Sequence, residues 1–299
     1  MQKKILWNDA EQRLRAGWRI LIQILLTAVP LAVLGLSGFY SEGNQSSRVA
    51  LTAGPATIIS VVLCSRFIDK RKISDLGVRL GEKAWWADYG FGALAGFISS
   101  SALVLMLIFL GWGEVVVSNQ WRIDVWAFIG SFLIALLSYL IVGIFEELMR
   151  AYQIKNAAEG LSRKQRSLTG VGLLAVILGA LWSVIGHLSS GDPPFLVYIL
   201  VTAVIYGLYI LWTGKAALAM GIHFAWDLTL STIFQLGAAS EASLTYIRLA
   251  GMPDFQFGAI NLLGIAAELS GLLLVSLWVW KREGRIAIQS SLTAYIPRA

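Results

Sequence analysis

Residues 125–150 read VWAFIGSFLIALLSYLIVGIFEELMR, and this stretch decides the kind of fold that the chain adopts. It carries no charge before Glu146, and it exceeds the roughly 20 apolar residues that cross a bilayer as a helix. The rest of the chain is similar, because 57% of its 299 residues are hydrophobic and 14% are charged. A soluble domain has about 25% charged residues. The sequence therefore predicts an all-α, polytopic membrane helix bundle that forms one integral-membrane domain over residues 1–299.

Apolar segments of spanning length recur along the chain and predict about eight transmembrane helices. Of the 24 Lys and Arg residues, 21 fall on the side of the N terminus, and only Arg48, Arg122 and Arg248 fall in the opposite loops. The positive-inside rule then predicts that both termini are cytoplasmic. The net charge of +6 is thus a topology signal with some attraction to anionic membrane lipid, and we expect no nucleic-acid partner. The predicted spans are residues 18–39, 50–68, 87–111, 125–149, 168–189, 195–213, 216–237 and 258–280.

An acidic pair and an arginine lie at the end of the fourth predicted span. Ionisable groups in hydrocarbon are costly and often mark functional sites. Glu146 and Glu147 precede Arg150 by four and three residues, so either carboxylate can meet the guanidinium on one helix face. The carboxylate that does not pair with Arg150 would be desolvated and would lie beside a like charge. This environment suits a general base. The alternative interpretation is three interfacial charges at a helix end.

The only two histidines of the chain also lie in apolar stretches. His187 comes late in the fifth span and could equally be a core histidine bonded to a backbone carbonyl. His223 and Asp227 are one turn apart in the seventh span, and an unpaired aspartate at that depth is costly, so we expect them to pair. A structural polar clamp is the alternative for this pair. Glu268 stands alone in the last span, either as an interhelical hydrogen-bonding group or as a second polar site, and the single Cys64 is expected to pack as a small apolar residue.

Three runs of sequence carry a family resemblance: VGIFEELMRAYQIKNAAEGL (142–161), ALWSVIGHL (180–188) and GLYILWTGKAALAMGIHFAWD (207–227). They resemble the CAAX protease and bacteriocin-processing family, also called the Abi family. Its members are intramembrane glutamate-type endopeptidases related to the type II CAAX prenyl proteases. The resemblance covers about residues 125–235, which correspond to the catalytic core of the family.

The family pattern has three parts, and the chain matches them to different degrees. Histidine, three residues, then Asn or Asp is present as His223 and Asp227. In the pattern of two glutamates followed after three residues by arginine, Arg150 comes one residue early. In the pattern of phenylalanine, three residues, then histidine, Ser183 occupies the position of the phenylalanine that precedes His187.

What the resemblance implies is hydrolysis of a peptide bond inside the membrane. The water-activating base would be Glu146 or Glu147, His187 would position or polarise the water, and His223 and Asp227 would stabilise the oxyanion. Asp227 could donate a hydrogen bond only when protonated, and otherwise would orient His223. No cofactor is expected. The implied substrate is a peptide or a protein tail, with or without an attached lipid, and the expected location is a bacterial inner or plasma membrane.

Other functions remain open on the sequence. The residues Glu146, His187, His223 and Asp227 could form a zinc set, although Arg150 beside the carboxylates argues against a metal cage. The two departures from the family pattern favour a catalytically impaired member that acts as a membrane scaffold or immunity protein. A proton-coupled transporter would also carry Glu, His and Asp inside its spans, but repeated halves with broken helices are not evident.

One geometric conflict follows from counting along straight helices. It places His187 near the outer end of its span and Glu146 near the inner end of its own. The two side chains can meet only if the fifth span starts deeper, tilts, or ends in a broken segment such as SSGDPP at residues 189–194.

Overall fold

A computed structural model of the chain describes residues 3–37, 45–117, 125–162, 167–236, 247–250 and 257–294. Eight helices longer than two turns form a membrane-type bundle, which confirms the predicted all-α polytopic class. All except α7 are long and apolar enough to cross a membrane. The helices are α1 (Ala16–Leu36), α2 (Gln45–Leu63), α3 (Lys83–Phe109), α4 (Val125–Ser162), α5 (Leu168–Gly186), α6 (Pro193–Thr213), α7 (Ala217–Leu228) and α8 (Phe257–Glu283).

The predicted boundaries are wrong at two helices that matter for the site. Helix α4 has 38 residues and continues through the polar stretch beyond residue 149, where the fourth span was predicted to end. Its polar residues remain helical because they are buried in contacts with other elements, which a hydropathy pattern does not reveal. The seventh span, predicted over residues 216–237, leaves the α-helical form after Leu228 and becomes a π-helix over Thr229–Ile233. Two threonines and an isoleucine in that turn are β-branched, which lowers helix propensity.

Short strands at the two ends of the bundle were not predicted from the sequence. At the N terminus, β1 (Trp7–Asn8) pairs antiparallel with β2 (Arg13–Leu14). At the opposite end, β3 (Glu114–Val117) and β4 (Phe234–Leu236) flank β5 (Ile247–Ala250) in a three-stranded sheet of order β3–β5–β4. The β3–β5 pairing is antiparallel and the β4–β5 pairing is parallel.

The segments next to both termini pack at one end of the bundle. Arg13 of the N-terminal hairpin donates to Glu159 near the end of α4. In the C-terminal segment, the Gln289 backbone N–H donates to the carbonyl of Leu211, and Lys155 of α4 donates to the carbonyls of Ser291 and Ala294. The three-stranded sheet, the first residues of α4, α6 and α8, and the end of α5 lie at the other end.

A buried ion network holds the terminus-bearing end together. Arg13, Arg19 and Arg71 all donate to Oε2 of Glu159, at distances of 2.7 to 3.2 Å, and all four side chains are at most 3% exposed. Asp69 adds a second carboxylate, 3.5 Å from Arg19 and 3.3 Å from Arg71. Removing one partner from a buried ion pair costs far more than removing an exposed one, because the remaining charge stays in a low dielectric. The network thus fixes the end of α4 against α1 and the loop after α2.

We expect Glu159→Gln to lower the free energy of unfolding by about 2–3 kcal/mol, because three buried guanidiniums lose a charged acceptor. The measurement is thermal or denaturant unfolding in detergent micelles. The matched control is Glu82→Gln, because Glu82 forms a solvent-exposed pair with Arg79, in which the side chains are 48% and 40% exposed. That exposed pair should contribute less than about 1 kcal/mol. If the two substitutions lowered the free energy of unfolding equally, the buried network would not contribute more to stability than an exposed ion pair.

Backbone-to-backbone packing fixes the position of the short helix α7. A Cβ built on Gly92 or Gly96 of α3 would lie 2.4 Å from the carbonyl oxygen of Leu218 or Ile222, respectively, and one built on Gly221 would lie 2.2 Å from that of Tyr89. Only glycine permits this approach, which is the small-residue packing typical of membrane helices. Helix α7, which carries His223 and Asp227, is therefore held firmly against α3.

Candidate active site

The length of α4 removes the predicted conflict between the positions of Glu146 and His187 along the bundle. Helix α4 continues from Glu146 to Ser162, about 24 Å of helix, and α5 runs from Leu168 to its C-cap His187, about 28 Å, at about 1.5 Å per residue. Glu146 therefore lies well inside its helix, within about one turn of the height of His187. Direct contact between the helices agrees with this, because Nη2 of Arg150 donates to Oγ of Ser183 over 3.0 Å.

Glu147 is the fully enclosed member of the acidic pair. Its side chain has no solvent exposure. Nη1 of Arg150 donates to both of its carboxylate oxygens, at 2.5 and 2.6 Å, and Nδ1 of His223 donates to Oε1 over 2.8 Å. Both oxygens are thus occupied by charged or polar donors from two helices. Glu147 fixes α4 to α7, and its carboxylate has no free face for a water molecule.

The second acidic residue, Glu146, is placed differently. Its side chain is 21% exposed, and Oε2 lies 4.0 Å from Nε2 of His223, which is beyond hydrogen-bond distance. The same Nε2 lies 3.4 Å from Oδ2 of Asp227, whose side chain is 28% exposed. The expected proximity of His223 and Asp227 is therefore observed. One imidazole faces three carboxylates, of which only Glu147 is neutralised by an arginine.

Ser183 connects His187 to this group. His187 forms the C-cap of α5, and its Nδ1–H donates to the Ser183 carbonyl over 2.8 Å. A carbonyl oxygen only accepts, so in the neutral imidazole Nε2 carries the free lone pair. The Ser183 hydroxyl accepts from Arg150, as described above. Ser183 stands where the family pattern has phenylalanine, and Arg150 comes one residue early in the acidic motif. The serine hydroxyl gives this arginine a polar contact that phenylalanine could not supply.

These groups share one cavity of about 310 Å³. Glu146, Arg150, His187, His223 and Asp227 all line it, whereas Glu147 lies behind its wall. The predicted site residues from three separate sequence runs are thus brought together. The rest of the wall is largely apolar and aromatic, and comes mainly from the half of the bundle remote from the termini; it includes Leu103, Phe195, Tyr198, Trp226, Leu236 and Ile260.

A comparison with protein families identifies the segment that builds this cavity. Residues 126–229 match the family model described as type II CAAX prenyl endopeptidase, Rce1-like. This segment is similar to the Rce1-like CAAX prenyl endopeptidases. This confirms the resemblance drawn from the three sequence runs, and it supports a CAAX-type intramembrane protease at the level of the family. No curated protein and no solved structure matches the chain.

Residues both inside and outside the matched segment complete the site. Tyr206 lines the cavity, and its ring centroid lies 5.5 Å from that of His223. Asn261 and Gly264 of α8 also line the cavity, and they lie outside the matched residues. Sequence reasoning missed Tyr206, because a tyrosine in an apolar run is typical of packing. The lone Glu268 was the available signal that α8 contributes polar groups.

The predicted zinc alternative finds no geometric support in the described part of the chain. There, no three His, Cys, Asp or Glu side chains are arranged to hold a metal ion. Arg150 bonds both oxygens of Glu147 and would repel a cation at that position. What the groups offer is a free carboxylate, an imidazole lone pair on His187, and a second imidazole, His223, that can donate from Nε2 when both of its ring nitrogens are protonated; these are the elements of general base catalysis with oxyanion stabilisation.

Proposed function

We propose that the chain is an intramembrane endopeptidase and that Glu146 activates the hydrolytic water. The observation that supports this proposal is the different placement of the two adjacent glutamates. Glu147 is sealed behind Arg150 and His223, whereas Glu146 lines the cavity and leaves its carboxylate free. A general base needs a lone pair within reach of the proton that it removes, and in the pair only Glu146 faces space for a water molecule.

The proposed reaction uses the side chains as follows. Glu146 takes a proton from water while the water oxygen bonds to the scissile carbonyl carbon, and the carbonyl π electrons move to its oxygen. His187 accepts a hydrogen bond from the same water through Nε2 and orients it. His223, protonated on both ring nitrogens, donates to Glu147 from Nδ1 and to the oxyanion from Nε2, and Asp227 either donates beside it as the neutral acid or holds the imidazolium in place. The C–N bond then breaks, and the proton on Glu146 passes to the leaving amine.

We expect the substrate to be a peptide or protein tail with apolar residues around the scissile bond. A cavity of about 310 Å³ is at the lower end for a ligand site, and its aromatic walls favour apolar side chains. Those walls come mainly from the bundle half remote from the termini. A lipid attached to the substrate would remain in the surrounding hydrocarbon, where the outer faces of the helices present exposed apolar side chains such as Leu25 and Val33.

The test is cleavage by the purified protein in liposomes. The probe is a fluorogenic peptide with an apolar segment, with and without a farnesylated cysteine. We expect turnover by the wild type that persists in a chelator, and a loss of roughly 10²- to 10³-fold in His223→Ala, which removes the oxyanion donor. His187→Ala should also lower kcat. Activity that is lost in the chelator and restored by zinc would contradict the metal-free mechanism.

A membrane scaffold or immunity protein with an impaired site is the second candidate. The observation that favours it is the early position of Arg150, which pairs with Glu147 and Ser183 in the structure. A wild-type protein that is folded in liposomes but cleaves neither peptide would favour this candidate over the protease.

A further inference from the structure

Glu268 is a buried carboxylate that the proposed reaction does not use. It lies in α8, outside the residues that match the CAAX protease segment, and it has no solvent exposure. An acidic side chain in a membrane-spanning helix is costly, and an apolar residue would fill the position without that cost. We therefore expect Glu268 to accept a hydrogen bond from a specific donor in the bundle.

That partner is Tyr206 of α6. The phenolic O–H of Tyr206 donates to Oε1 of Glu268 over 2.7 Å, and the tyrosine is only 3% exposed. The other oxygen, Oε2, has no hydrogen-bond partner in the part of the chain that the structure describes. The carboxylate is therefore committed to a single contact. A bond from a rigid ring to a fixed acceptor on another helix fixes the orientation of that ring.

The Tyr206 ring lies against both groups that hold Glu147. Cζ of Arg150 lies 5.6 Å from its centroid, within the range of a cation–π contact. The ring centroid of His223 lies 5.5 Å from that of Tyr206, with the two planes at 48°. A shift of Tyr206 would therefore move Arg150 or His223 relative to the cavity. The ring also forms part of the cavity wall.

We propose that Glu268 is a positioning residue of the active site, acting through the Tyr206 hydroxyl on His223 and Arg150. This role rests on the proposed peptidase function. Its chemistry requires a hydrogen-bond acceptor at position 268 rather than a charge. Glutamine keeps a carbonyl oxygen that can accept from the tyrosine, whereas leucine removes the acceptor. Phenylalanine at position 206 removes the same bond from the other side and keeps the ring.

The experiment compares Glu268→Gln, Glu268→Leu, Tyr206→Phe and the double variant Glu268→Leu with Tyr206→Phe, in the liposome assay. We expect Glu268→Leu and Tyr206→Phe to lower kcat roughly ten- to hundredfold with little change in KM, because the reacting groups are displaced while the substrate walls remain. Glu268→Gln should keep at least about half of the wild-type kcat. The double variant should be no slower than the slower single variant, because both remove one bond.

A matched control separates positioning from general damage to α8. Ser276→Ala removes a bond from Ser276 to the Leu272 carbonyl within the same helix, and it should cleave like the wild type. Thermal unfolding is measured for every variant; if Glu268→Leu does not fold, Tyr206→Phe carries the test because it deletes only a hydroxyl.

The inference is overturned if Tyr206→Phe cleaves like the wild type, if Glu268→Gln is as slow as Glu268→Leu, or if the two losses multiply in the double variant. In these cases an active wild type leaves the proposed function intact. A wild type that cleaves nothing overturns the peptidase function and this role with it.

Discussion

Glu146→Gln is expected to lower kcat for peptide cleavage roughly 10²- to 10⁴-fold while the protein stays folded. Glutamine has nearly the same shape but cannot take a proton from water. Fold stability should change little, because Glu146 is partly exposed to the cavity and its Oε2 lies 4.0 Å from Nε2 of His223, beyond hydrogen-bond distance. The measurement is turnover of the fluorogenic peptide in liposomes together with thermal unfolding of the same preparation.

The control for this substitution is Glu82→Gln, which makes the same chemical change at a partly exposed glutamate outside the cavity. It should cleave at the wild-type rate. If Glu146→Gln retained wild-type turnover, Glu146 would not be the base. If it lost turnover only because it unfolded at the assay temperature, its role would be structural.

Glu147→Leu is expected to lower the free energy of unfolding by about 3–5 kcal/mol and to abolish cleavage. The substitution leaves the Arg150 guanidinium buried without its carboxylate and removes the acceptor of Nδ1 of His223. The imidazole then loses its orientation in the cavity. Denaturant or thermal unfolding in micelles measures the first effect, and the liposome assay measures the second.

A double variant gives the sharper form of this prediction. Adding Arg150→Met to Glu147→Leu removes the uncompensated charge, and apolar replacement of a whole buried ion pair is often neutral for stability. We therefore expect the double variant to recover much of the lost stability and none of the activity. A Glu147→Leu protein as stable as the wild type would show that the buried pair does not hold α4 to α7.

The class of fold could be predicted because apolar length and the partition of basic residues are properties of local sequence. The expected proximity of His223 and Asp227 was equally local, since residues four apart share a helix face. The three runs also predicted that Glu146, His187 and His223 belong to one site. Their shared cavity required the resemblance to a family, because no periodicity connects residues on different helices.

Other features depended on contacts that no single segment contains. Helix α4 extends to Ser162 because its polar end is buried against the arginines of distant segments, so hydropathy ended it too early. The strands β3 and β5 are separated by more than a hundred residues, so their pairing depends on the arrangement of the helices between them.

The difference between the two adjacent glutamates was likewise hidden in the sequence. Neighbouring residues on a helix point about 100° apart, so one reaches Arg150 and the other reaches the cavity. Which of them does so depends on where α7 lies. That position is set by the close approach of Gly92 and Gly96 to α7.

The most direct test of water activation by Glu146 is isotope incorporation during cleavage in liposomes prepared in ¹⁸O-labelled water. We predict that the wild type releases an N-terminal product with one ¹⁸O atom in its new carboxylate, as seen by mass spectrometry. We also predict that Glu146→Gln yields almost no labelled product over the same time. Equal amounts of labelled product from the two proteins, or cleavage without incorporation of the label, would contradict hydrolysis by a water that Glu146 activates.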